Sequence, residues 1–197
     1  MNLPNKITIG RIIMSVILVI ILVFPFYQIG FVWPKYLIGG KVAIDLKYIV
    51  CGILFAIASI TDFVDGSIAR RQNQVTDFGK VMDAIADKIL VNGVLIILAY
   101  DGFIPVIVPV IIIIRDIAVD TIKMLAGAKG NAVGASVWGK VKTIFMLVGL
   151  SLVFFYNLPF ALFNAPVGNY LVLVATILSI YSGIEYFVAN KELIAER

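Results

Sequence analysis

Four aspartates, Asp62, Asp65, Asp83 and Asp87, crowd into one short stretch of a chain that is otherwise poor in charge. Asp62 and Asp65 are three residues apart and Asp83 and Asp87 are four apart. Either spacing puts a pair on one face of a helix. Carried on two consecutive helices joined by a short loop, the four carboxylates converge. Hard oxygen donors of this kind, in a chain without histidine, favour Mg2+, Mn2+ or Ca2+. Several carboxylates together can hold two ions about 3.5–4 Å apart, an arrangement that assists displacement at phosphorus. The lack of histidine excludes His-based zinc sites, Ser-His-Asp triads and phosphohistidine chemistry in this chain. Cys51 is the single cysteine, which excludes an intrachain disulfide and a cysteine metal cluster. It lies in an apolar run and is expected to pack there.

The elements that must position these aspartates are apolar. Of 197 residues, 61% are hydrophobic and 14% are charged, and the mean hydropathy is +1.05. A soluble domain is about 45–50% apolar and about 25% charged. The surplus exceeds what a chain of this length hides from water, so residues 1–197 are expected to form one membrane domain. Six segments approach the roughly 20 residues of a spanning helix: about 8–27, 47–69, 79–99, 104–125, 139–157 and 168–189. The expected fold is an all-α integral membrane bundle of six transmembrane helices with a polar cavity open to the cytoplasm. Short linkers make neighbours antiparallel. An aspartate at the centre of a span costs roughly 2.5–3.5 kcal/mol, so the acidic cluster needs a wet cavity and bound cations.

Basic residues set the expected orientation. Lys6 and Arg11 lie at the N-terminal end of the chain. Arg70, Arg71 and Lys80 lie around the second connection, Lys123, Lys129, Lys140 and Lys142 around the fourth, and Lys191 and Arg197 follow the sixth segment. All fall on one side, which the positive-inside rule makes cytoplasmic. Both termini and the acidic cluster are expected on that side. Lys35, Lys41 and Lys47 in the first loop run against the rule. The start of the chain also imitates a signal peptide, but its apolar run ends in Phe24-Pro25-Phe26-Tyr27 without a small-residue cleavage pattern, so an uncleaved helix is expected.

Small residues accompany the acids. Gly66 and Ala69 follow the first pair, and Gly79 sits one turn before Asp83. They let a flat base or a phosphate approach the backbone; tight helix packing in a membrane uses the same residues. Residues 62–87 thus read D-x2-D-G-x2-A-R-x8-G-x3-D-x3-D. This stretch resembles the signature of the CDP-alcohol phosphatidyltransferases, with every fixed position present, and the hydrophobic layout of the whole chain is similar to theirs. The resemblance implies that Asp62, Asp65 and Asp83 bind the metals and the CDP group. It makes Asp87 the base for the acceptor hydroxyl, at the edge of the same metal cluster. Gly66, Ala69, Arg70 and Gly79 would line the CDP-lipid site, with Arg70 on a phosphate or on one of the aspartates. Asn5 and Thr8 resemble family positions near the nucleotide phosphates, and a helix cap accounts for them equally well. Two ions of Mg2+ or Mn2+, CDP-diacylglycerol as donor, a lipid environment and a homodimer are implied; no nucleic-acid partner is.

Three further stretches resemble the bacterial branch that uses sn-glycerol 3-phosphate to make phosphatidylglycerophosphate: Asn2–Thr8, Asn73–Lys80 and Gly139–Thr143. Ala84 stands where that branch usually carries proline, and alanine continues a helix without loss. A phosphorylated acceptor needs cations near the metals. Arg115 follows an apolar run from Val106 to Ile114, and Lys123 is eight residues on, about 80° around the helix. Arg115, Lys123 and Lys140 are expected to line a pocket for the acceptor phosphate, for which the guanidinium fork is suited. Arg115 could instead pair with Asp116 or Asp120, and Lys129 and Lys142 could serve only the charge bias. Residues 134–141, GASVWGKV, approach a nucleotide phosphate loop, but Val141 replaces its hydroxyl residue and no strand precedes it. Transfer to inositol phosphate or phosphatidylglycerol is the alternative within the family. A cation transporter is the alternative outside it, since membrane carboxylates also line ion pathways.

Overall fold

The computed structural model describes residues 3–71, 77–129, 134 and 136–191, without the side chains of 3–5, 63–71, 77, 78 and 80. Six α-helices dominate these residues: α1 (Leu3–Val23), α2 (Leu46–Arg71), α3 (Asp77–Tyr100), α4 (Ile107–Ala128), α5 (Val137–Phe154) and α6 (Val167–Ala189). Each matches one expected segment. The largest shift is in α1, which runs four to five residues further towards the N-terminus and stops before Pro25, where the ring prevents continuation. Asn5 and Thr8 therefore lie inside α1 and not at its cap. In α4, Pro109 falls in the first turn, where the missing N–H has no helical partner to lose. Ser136 caps α5 by accepting from the Gly139 N–H at 3.1 Å.

A short hairpin breaks the all-α expectation. Strands β1 (Lys35–Ile38) and β2 (Val42–Asp45) pair antiparallel. Gly39 and Gly40 form the turn with φ of +59° and +66°, a region glycine enters without strain. The hairpin joins the end of α1 to the start of α2. It leans on the α5–α6 connection, where the Asp45 N–H donates to the Tyr156 hydroxyl at 2.9 Å. The lysines that ran against the charge rule have local roles here. Lys35 stands opposite Asp45 in the hairpin. Lys41 Nζ reaches the Leu162 carbonyl at 3.5 Å, and Lys47 Nζ donates to the Leu22 carbonyl at 3.2 Å.

The core runs along the bundle axis through Leu18, Cys51, Phe55, Leu95, Leu98, Ile112, Met146, Leu150 and Phe154, all essentially inaccessible. Cys51 packs as expected. Helix α1 lies against α2 and α3, while α6 lies against α4 and α5. Where α5 meets α6, a Cβ on Gly149 would sit 3.0 Å from the Gly168 carbonyl, so small residues set this close approach. The outer faces are apolar, with Ile13, Ile17 and Ile20 on α1 and Ile177 and Ile184 on α6 exposed. Among the described residues, Lys6–Val23, Val137–Phe154 and Val167–Ala189 are long and apolar enough to cross a membrane. Helices α2, α3 and α4 carry the charges discussed next.

Candidate active site

Helix α1 contributes two polar side chains at i and i+3, Thr8 and Arg11, both buried. They face the ends of α2 and α3. Arg11 Nη2 donates to Asp83 Oδ1 at 3.0 Å. Thr8 Oγ1 donates to the same oxygen at 2.8 Å. Arg11 Nη1 forms an ion pair with Asp62. One guanidinium, 1% exposed, thus gathers an aspartate from each motif helix, and both carboxylates remain about half exposed. Arg11 entered the sequence reading only as an orientation signal; here it is a site residue.

Gly79 is buried one turn before Asp83 on α3. The side chains of Asp65, Gly66, Ala69 and Arg70, and that of Asn5, lie outside the described residues. Asp87 is one turn beyond Asp83 and lines a polar cavity of about 310 Å3 bounded by α3, α4, α5 and α6. Arg115, Lys123 and Lys140 line it too, as do Lys88, Lys142, Asp116, Asp120 and Tyr186.

The cavity is cationic. Five basic side chains meet three acidic ones, and the pairings leave a positive surplus. Lys88 pairs with Asp120. Arg115 Nη1 and Lys142 Nζ share Asp116 Oδ1 at 3.0 and 2.8 Å. The pairing of Arg115 with Asp116 weighed from the sequence is therefore present, and it holds the guanidinium on the cavity wall. Lys142 is buried and bonded to this carboxylate, so it does more than bias orientation. Arg115 also donates from Nε to the Ser179 carbonyl at 3.2 Å and from Nη2 to Ser182 Oγ at 2.7 Å. Lys123 Nζ lies 5.5 Å from the centre of the Tyr186 ring, within cation–π range. Sequence reading passed over Ser182 and Tyr186.

The donor chemistry around Asp62 and Asp83 fits a hard divalent ion. Two carboxylates from different helices stand within the span of one guanidinium, half open to solvent, and so offer hard oxygen donors to an ion. No group of three such acids closes on a point among the described residues; Asp65 is outside them.

An apolar helical bundle that gathers carboxylates at one end, beside a cationic cavity, defines a membrane protein equipped for phosphate-bearing substrates. A profile described as CDP-alcohol phosphatidyltransferase matches residues 1–181. The chain belongs to this family and is a phosphatidyltransferase. It is 39% identical over 191 residues to the CDP-diacylglycerol–glycerol-3-phosphate 3-phosphatidyltransferase of Bacillus subtilis, covering 97% of this chain and 96% of that protein. The protein of the same description from Rickettsia felis is 35% identical over 192 residues, with coverage of 97% and 96%. That from Mycoplasma genitalium is 33% identical over 150 residues, covering 76% of this chain and 63% of its own. The family generally depends on a divalent metal.

Proposed function

We propose that the protein transfers the phosphatidyl group of CDP-diacylglycerol to sn-glycerol 3-phosphate, giving phosphatidylglycerophosphate and CMP. It works as a bundle of six spans in a bacterial cytoplasmic membrane, with the aspartates at the cytoplasmic end. The observation that carries the reading is that Asp87 shares one cavity with Arg115, Lys123 and Lys140. A base and a cationic pocket side by side suit an acceptor with a hydroxyl at one end and a phosphate at the other. Phosphatidylglycerol carries a phosphodiester with one negative charge, a poorer match to these cations than a phosphate monoester.

In this reading the cations hold the acceptor phosphate, and Asp87 takes the proton from the acceptor hydroxyl. The freed oxygen bonds to the phosphorus that carries diacylglycerol. The bond from that phosphorus to the bridging oxygen breaks, and CMP leaves with its electron pair. Divalent ions held by Asp62, Asp65 and Asp83, with Asp87 at the edge, would supply charge neutralisation at the pyrophosphate.

The test is CMP release by purified protein with CDP-diacylglycerol and each radiolabelled acceptor, with and without Mg2+ or Mn2+. Turnover is expected with glycerol 3-phosphate and divalent metal, and not in chelator. Turnover with inositol phosphate or phosphatidylglycerol but not glycerol 3-phosphate would overturn the acceptor assignment; cation flux without CMP release would favour a transporter. Arg115→Ala is expected to raise KM for glycerol 3-phosphate roughly 10- to 30-fold, the loss of a charge-assisted contact of about 1.5–2 kcal/mol. The KM for CDP-lipid should change far less. Equal rises in both would assign Arg115 to folding.

A further inference from the structure

Helix α6 carries a polar stripe through an otherwise apolar surface. Ser179, Ser182, Gly183 and Tyr186 fall at i, i+3, i+4 and i+7, on one face. The stripe meets the cavity's cations from behind. The Ser179 carbonyl accepts from Arg115 Nε and Ser182 Oγ accepts from Nη2. Gly183 makes room for the arginine stem, since a Cβ there would stand 3.0 Å from Arg115 Cγ and 3.6 Å from Nε. Tyr186, 5% exposed, sets its ring 5.9 Å from the guanidinium carbon and 5.5 Å from Lys123 Nζ. Its hydroxyl donates to the Gly134 carbonyl at 2.6 Å and accepts from the Ser136 N–H at 2.9 Å. Ser136 in turn caps α5, whose first turn carries Lys140.

We infer that this α6 stripe is a positioning cradle that fixes Arg115, Lys123 and Lys140 in the arrangement that selects a phosphorylated acceptor. A guanidinium has five N–H donors. Three are engaged by Ser179, Ser182 and Asp116. One remains on each terminal nitrogen, the pair that a phosphate takes in bidentate fashion. Without the cradle, three neighbouring cations repel and spread. Gly183 and Tyr186 thus act through the cations, and specificity for the anionic end of the acceptor is written on a helix that supplies none of them. The inference rests on the proposed reaction and deepens it.

The test uses full-length Gly183→Ala and Tyr186→Phe, with kcat and KM measured for glycerol 3-phosphate and for CDP-diacylglycerol, and with glycerol as an acceptor lacking phosphate. Each variant is expected to raise KM for glycerol 3-phosphate about tenfold, the size of one or two lost contacts. The KM for CDP-lipid should stay within about twofold, and the preference for glycerol 3-phosphate over glycerol should fall. In an Arg115→Ala background, Gly183→Ala should add nothing further, because its effect travels through the arginine. Equal rises in both KM values, or a full additional loss in the Arg115→Ala background, would overturn the cradle. The two readings fail separately. Wild-type protein that releases no CMP with glycerol 3-phosphate overturns the proposed reaction, whereas normal wild-type turnover with unshifted variants overturns the cradle alone.

Discussion

Asp87→Asn is expected to lower turnover about 10²- to 10⁴-fold, the usual contribution of a positioned general base, while CDP-lipid binding stays near wild type. The amide keeps the size of the side chain and cannot take a proton. The neighbouring clamp keeps its own contacts, because Arg11 holds Asp62 and Asp83, while Asp87 lines the cationic cavity. The variant should therefore fold and keep its donor half. Single-turnover CMP release at saturating divalent metal, alongside a binding measurement with CDP-diacylglycerol, separates the two steps. Near-normal turnover would place the base elsewhere.

Arg11→Met is expected to destabilise the protein by roughly 2–3 kcal/mol. Removing one member of a buried ion pair costs about 3–5 kcal/mol, and the half exposure of Asp62 and Asp83 lets water recover part of that. Methionine fills similar space but leaves the two carboxylates facing each other without a cation. A divalent ion that binds them stabilises the folded state by mass action. Melting in detergent should show a lower Tm for the variant than for wild type, and a larger rise in Tm on adding Mg2+ or Mn2+. An unchanged Tm with the same metal response as wild type would remove Arg11 from the site.

Six helices were legible because apolar runs of spanning length are interrupted by prolines, glycines and charges near each boundary. The aspartate motif was legible because its spacing is local to two helices. What escaped depends on contacts across the chain. A cation such as Arg11 ahead of an apolar run carries an orientation signal, and nothing local says that it will face Asp83, 72 residues away. Thr8 was singled out through the resemblance, but its bond to Asp83 escaped likewise, since the start of α1 at Leu3 moves it from a cap into the helix. The hairpin has strands of four residues, too short for an alternating pattern to stand out; the Gly39-Gly40 pair was the one available sign. On α6, Ser179, Ser182, Gly183 and Tyr186 repeat at helical spacing, a signal present in the sequence but masked by the ordinary use of serine and glycine in membrane helix packing. Arg115, Lys123 and Lys140 could be grouped because the link between α4 and α5 is short.

Asp83 and Asp87 are one turn apart on the same face of one rigid rod. One is tied to α1 through Thr8 and Arg11; the other opens towards α4, α5 and α6. Helix α3 thus carries both halves of the proposed site. A twist or slide of α3 by a fraction of a turn cannot adjust one carboxylate without carrying the other along, so the clamp and the cavity keep one register.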